Sequence, residues 1–180
     1  MGAASSTASL SPEELQELEQ MTGLPKPSIA RLYSRFHQLD KNKVGSISAN
    51  EMIAIPEFAM NPLAYRMISV FDSEGNNEIS FRQFLGWLSV FSKGASREQK
   101  LEFAFRVYDV DADGIISFDD LQTILKLMVG KTLSQKEIED LVRETIWQAD
   151  TIDKDGAISF DEFKRSLFSA DFEQSFSIDF

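Results

Sequence analysis

Asp109-Val110-Asp111-Ala112-Asp113-Gly114-Ile115-Ile116-Ser117-Phe118-Asp119-Asp120 sets oxygen-bearing side chains at alternate positions, breaks at a glycine and closes on an acid. The layout recurs in the chain. Asp40 to Glu51, Asp72 to Gln83 and Asp150 to Glu162 share it, each with a Gly or Asn followed two residues later by an isoleucine. Those isoleucines, Ile47, Ile79, Ile116 and Ile158, are separated by 32, 37 and 42 residues. A period of that size marks supersecondary units that bury their apolar faces against one another.

The flanks of the loops carry helical periodicity. Ile29, Leu32, Tyr33, Phe36 and Leu39 fall on one helical face before the first loop, and Leu101, Ala104, Phe105 and Tyr108 do so before the third. Met52 and Ile55, Phe84 and Leu88, then Leu121, Leu125 and Met128, and finally Phe163 and Leu167 form the outgoing stripes. Ser134 with Glu137 reads as a capping box, Pro62 suits a first helical turn and Gly130 a helix end. Each unit is thus helix, twelve-residue loop, helix. The expected fold is all-α, with four such units paired into two lobes and short two-residue β bridges between paired loops. The expected divisions are an N-terminal segment with a short helix over 1–24, lobes over 25–92 and 93–168, and a tail over 169–180. Trp87 and Trp147 read as packing residues and His37 as a solvated one.

Composition narrows the function classes. The chain of 180 residues holds 29 Asp+Glu against 18 Lys+Arg, a net charge of −11, with one His and no Cys. Thiolate zinc sites, disulfides and multi-histidine sites are excluded, and nothing supports an enzyme, since the loops account for the acidic clusters. The acidic balance argues against nucleic-acid binding, which needs clustered Lys and Arg. No apolar run approaches the ~20 residues of a membrane span, and the N-terminus lacks the apolar region of a signal peptide. A cytoplasmic protein is the expectation.

The third loop resembles an EF-hand, which supplies calcium ligands from positions 1, 3, 5, 7, 9 and 12 with Gly at 6. A hard divalent cation takes six to eight oxygens, and alternate residues of a tight loop converge on one point. The resemblance assigns Asp109, Asp111, Asp113, the Ile115 carbonyl, Ser117 and Asp120 as ligands in the third loop. Asp120 is one methylene shorter than the usual glutamate, which shifts the balance from calcium toward magnesium. In the fourth loop the apolar pattern of the preceding helix places a one-residue insertion between Asp150 and Asp153. Its ligands are then Asp150, Asp153, Asp155, the Ala157 carbonyl, Ser159 through water, and Glu162. The first loop offers Asp40, Asn42, Ser46, Ser48 and Glu51, but Val44 stands where a third oxygen belongs. The second offers Asp72, Glu74 and Asn76, but Gln83 replaces the final acid, so it reads as a structural relic.

Further segments resemble the calcineurin B family. They are Ile29 to Phe36, Ile55 to Phe58, Asn61 to Leu63, Gln99 to Phe105 and Leu127 to Gly130, and the similarity runs from about residue 10 to 168. Glu13 to Phe36 is closer to the calcineurin B homologous proteins, while the short linker Ser92 to Ser96 is closer to calcineurin B. The resemblance implies a noncatalytic subunit that grips an amphipathic helix, either of a serine/threonine phosphatase catalytic subunit or of a membrane transporter such as a sodium/proton exchanger. The expected groove residues are Phe81, Phe84, Leu88, Phe91, Phe118, Leu121, Leu125, Met128 and Val129. With 6 Met against 15 Phe the groove is expected to be stiff and committed to one partner. Met1-Gly2 with Ser6 matches the myristoylation pattern, which would add weak membrane contact. Phe172, Phe176, Ile178 and Phe180 make the tail apolar enough to plug the groove or to pack on the fourth unit.

Overall fold

Serine opens most of the helices. Ser11, Ser48, Ser80, Ser96, Ser117, Ser134 and Ser159 each take part in a capping box with the residue three positions on. Such a box satisfies amides that a helix start leaves free and contributes about 1 kcal/mol. The structure, a computed structural model, describes residues 10–72, 75–92 and 94–167, with the backbone alone for 56 and 57. Gly2, Glu74 and the tail from Ser169 to Phe180 therefore lie outside the described residues.

The N-terminal half runs α1 (Pro12–Thr22), α2 (Lys26–Leu39), β1 (Ser46–Ser48), α3 (Ala49–Ile53), α4 (Pro56–Ala59), α5 (Ala64–Phe71), β2 (Glu78–Ser80) and α6 (Phe81–Phe91). The helix leaving the first loop is broken after Ile53. Ile55 precedes Pro56 and adopts an extended backbone (φ −69°, ψ 128°), because a proline pushes its predecessor out of the helical region. β1 and β2 pair antiparallel with Ile47 opposite Ile79, both buried. Phe36, Met52, Phe58, Ile68, Phe84, Trp87, Leu88 and Phe91 close the first core around them. Helix α1 lies on α2 and α6, where Leu18, Ile29 and Leu85 bury one another.

The C-terminal half runs α7 (Arg97–Tyr108), α8 (Phe118–Val129), α9 (Gln135–Ala149) and α10 (Phe160–Ser166). Its loops meet through one bridge, Ile116 to Ile158, with both N–H···O bonds at 2.9 Å. The expected two-residue bridges are thus three-residue strands in one half and a single pair in the other. Leu101, Ala104, Phe105, Leu121, Ile138, Val142, Ile146 and Phe163 form the second core. Trp147 corrects its expectation. The buried stripe of α9 is Ile138, Val142, Ile146 and Ala149, and Trp147 sits just off it, 77% exposed.

The two cores share α7. Its Leu101, Ala104 and Phe105 face the second core, while Phe103 and Val107 are buried in the first. Phe103 stacks on Phe71 at 5.0 Å between ring centroids and meets Phe91 edge-on at 5.2 Å. Two arginines cross the same contact. Arg66 of α5 donates to the carbonyls of Val107 (3.0 Å), Arg106 (2.6 Å) and Asp109, and Arg106 of α7 donates to the Val70 carbonyl at 3.3 Å. Among the described residues no helix is long and apolar enough to cross a membrane.

Candidate metal centres

Each loop starts on the residue that ends a helix. Asp40, Asp72, Asp109 and Asp150 cap α2, α5, α7 and α9 with nearly one backbone conformation, φ/ψ of −68/80°, −78/76°, −71/88° and −72/86°. The first carboxylate then reaches across the loop. Its Oδ2 accepts from the amide of Gly45 at 2.8 Å, Asn77 at 2.7 Å, Gly114 at 3.1 Å and Gly156 at 2.8 Å, respectively. Those four residues take left-handed φ of 85°, 60°, 93° and 89°, a region open to glycine and tolerated by asparagine. The turn folds each loop back toward its first aspartate.

The fourth loop keeps this scaffold with one residue more. Asp40, Asp72 and Asp109 bond the amide five residues on, whereas Asp150 bonds the sixth. The preceding left-handed residue shifts in step, from Lys43, Gly75 and Ala112 to Lys154. The added residue therefore lies between Asp150 and Lys154, and Asp150 occupies the place that Asp109 holds in the third loop. Thr151 and Ile152 both donate to Glu162 Oε1, at 3.0 and 2.9 Å, where Val110 alone serves Asp120 Oδ1 at 3.0 Å. Ile152 turns its side chain outward, 48% exposed.

The closing residue of every loop is also the third residue of the next helix. Glu51, Asp120 and Glu162 each accept the amide and hydroxyl of the serine three positions before, Ser48, Ser117 and Ser159. For Ser117 the hydroxyl contact is 2.6 Å and for Ser159 it is 2.8 Å. These serines, expected as ligands, also cap the next helix and orient the last carboxylate. The signal was in the sequence, as Ser followed three residues later by Glu, Gln or Asp in all four loops. Gln83 keeps the cap, with Oε1 at 2.8 Å from Ser80 N and 2.7 Å from Ser80 Oγ, yet brings one oxygen where a carboxylate brings two.

Carboxylates cluster in the third and fourth loops. Oxygens of Asp109, Asp111 and Asp120 lie within 4.8 Å of one another, and so do those of Asp150, Asp153 and Glu162. Asp113 and Asp155 stand outside these groups, each accepting the amide two residues on, Ile115 at 3.0 Å and Ala157 at 2.9 Å. Burial pushes the Asp109 carboxyl above its ordinary range, and the charges of Asp113 and Asp120 add to this against the amides of Gly114 and Asp113. At Glu162 burial acts the same way, but the amides of Ile152, Ser159 and Thr151 and the Ser159 hydroxyl outweigh it and hold the acid at about 2. Asp150 Oδ1 is buried and has no hydrogen-bond partner. An orphaned carboxylate oxygen among other carboxylates costs several kcal/mol unless a cation takes it up. The residues present fit a hard divalent ion. The first loop brings only Asp40 and Glu51 as acids, with Asn42 and Ser46 beside a Val44 that is 65% exposed.

Four of the expected groove residues are enclosed within the lobes. Phe84, Leu88 and Phe91 are buried in the first core and Leu121 in the second, since the helices of each lobe close over them. Phe81 packs edge-on against Tyr33 and Phe36, while Leu125 and Val129 are partly buried on the second core. Met128 remains half exposed beside Leu127. Phe118 lines a cavity of about 850 Å³ with Ile146, Trp147 and Lys154, next to the fourth loop, with the Arg143 guanidinium 5.2 Å from its ring.

Comparison with known proteins supplies the wider frame. A family model described as an EF-hand domain pair matches residues 98–167. Calcineurin B of Naegleria gruberi is 46% identical over 96% of this chain and 97% of its own. Calcineurin B of Schizosaccharomyces pombe is 40% identical over 91% of this chain and 94% of its own. Calcineurin B type 1 of Dictyostelium discoideum is 41% identical over 86% of this chain and 85% of its own. Identity at this level, nearly end to end, shows that the chain belongs to the calcineurin B family.

Proposed function

We propose that the chain is a calcium-binding regulatory subunit that holds an amphipathic helix of a serine/threonine phosphatase catalytic subunit. The observation that carries the calcium half is the orphaned, buried Asp150 Oδ1 inside the Asp150, Asp153 and Glu162 cluster. The relatives named as calcineurin B carry the partner half. A bound ion supplies the positive charge that the clustered carboxylates lack. Asp109, Asp111, Asp113, Asp120 and the Ile115 carbonyl would hold it in the third loop, and Asp150, Asp153, Asp155, Glu162 and the Ala157 carbonyl in the fourth. The short side chain of Asp120 favours a six-coordinate ion, so magnesium competes best at the third loop.

The partner helix needs an apolar face. Leu32, Ile55, Phe58, Phe84, Trp87 and Leu88 line a cleft in the first lobe with only about 10 Å³ open, and Arg35 stands with them. A helix would dock there by parting α2 from α6, with the half-exposed Leu127 and Met128 of the second lobe offering further apolar contact. Calorimetry of the full chain should find two calcium sites. Co-expression with a calcineurin catalytic subunit should give a complex that survives purification. Four equal sites, or none, overturn the first half. Failure to hold the phosphatase catalytic chain while binding a juxtamembrane helix of a sodium/proton exchanger replaces the second.

A further inference from the structure

The last turn of a helix leaves its carbonyls without intrahelical partners. At the end of α7 these belong to the residues that lead into the third loop. One guanidinium takes three of them: Arg66 donates through Nε to Val107 O at 3.0 Å and through one terminal nitrogen to Arg106 O, at 2.6 Å, and to Asp109 O. Its other terminal nitrogen donates to Ser69 Oγ at 3.0 Å. Arg66 belongs to α5, in the other lobe, more than forty residues from Asp109 in sequence. Asp109 is therefore held at both ends. Its peptide oxygen is bound by Arg66, and its carboxylate accepts from Asp113 N at 3.2 Å and Gly114 N at 3.1 Å.

We propose that Arg66 is a positioning residue for the third cation loop, supplied in trans by the N-terminal lobe. The inference rests on the calcium reading above and deepens it. A ligand whose backbone is already fixed loses less freedom when an ion arrives, so the site binds more tightly than a free loop would. Arg66 acts on the ion through Asp109 and does not touch it. The planar fork matters as much as the charge, because a lysine ammonium cannot span three carbonyls in this arrangement. Coupling of this kind is reciprocal, so an ion in the third loop also firms the α5–α7 contact.

The charge alone makes the opposite forecast. A cation beside a cation site repels the incoming ion, and removing it should tighten binding. Site-resolved hydrogen exchange of the full chain against free calcium separates the two. The readouts are the amides of Asp113 and Gly114 for the third loop and Gly156 for the fourth. With Arg66→Met and Arg66→Lys the third-loop midpoint should rise about tenfold, while Gly156 keeps its midpoint. Arg106→Met, which also removes an arginine from the α5–α7 contact but none from the loop, should move the third-loop midpoint by less than about twofold. A tighter third loop in Arg66→Met, an unchanged one, or an equal shift in Arg106→Met overturns the proposal and leaves the calcium reading standing. If the wild-type loops do not respond to calcium at all, the calcium reading falls and this inference falls with it.

Discussion

The N-terminal and C-terminal pairs of loops have one backbone and different ligands. All four enter through an aspartate with φ near −70° and ψ near 80°, all four bond that aspartate to a left-handed residue, and all four leave through a capping box. Yet Val44 and Gln83 stand in the first pair where oxygens and charge are needed, while the second pair gathers two carboxylate triads. The pairing of loops is even more extensive where the ligands are poorer, with strands of three residues against a single bridge. The lesson is that the loop fold is maintained by hydrogen bonds within the chain. Cation binding is carried by a few side chains laid upon it, and they can change without dissolving the scaffold.

Breaking the stronger half should have the largest effect. Glu162→Gln keeps the oxygen that the cap needs, as Gln83 does in the second loop, but removes the charge and the second oxygen. Calcium affinity at the fourth loop should fall about 100-fold, read by calorimetry as the loss of one site with the fold retained by circular dichroism. The converse change, Gln83→Glu, should bring the second loop to about 10⁻⁵ M or tighter as an additional calorimetric site. If it adds no heat, the other ligands of that loop are deficient as well.

Within the stronger half, Asp120→Glu should raise calcium affinity at the third loop about tenfold and weaken magnesium competition there. An unchanged preference would show that side-chain length at the closing position is not limiting. The smallest effect concerns acid. Glu162 is held at about 2 against an ordinary 4.5, so its contribution to stability is complete above the ordinary value and is lost as pH falls through the folded one. In calcium-free buffer the second lobe of Glu162→Gln should show a flatter stability profile between pH 4.5 and 2 than the wild type, measured by denaturant titration. Parallel profiles would mean that other acids govern that range.

Much of the fold was legible because it is written locally. Alternating carboxylates, a left-handed turn residue and an apolar 3.6-residue stripe all act within a dozen positions, so Asp109 to Asp120 could be read without knowing its surroundings. The shift of the fourth loop was readable from the apolar pattern of α9 ahead of Asp150. The serine caps are equally local, but a hydroxyl at that position fits a ligand as well as a cap, and Ser117 and Ser159 carry both signals. Trp147 departs from its expected packing because one step along a helix turns a side chain by about 100°, enough to carry it off the stripe defined by Ile146.

By itself the sequence determined that four acidic turns would lie between amphipathic helices, and which two of them would carry full sets of acids. Short-range sterics and spacing are sufficient for that. Only the tertiary structure decided that α7 serves two cores through opposite faces, with Phe103 against Phe71 and Leu101 in the other lobe. It alone sent Phe84, Leu88 and Leu121 inward, left Asp150 Oδ1 without a partner, and set Arg66 on the end of α7. These are pairings between residues far apart in the chain. No local pattern encodes them, because burial and hydrogen bonding of this kind depend on which helices come to lie side by side.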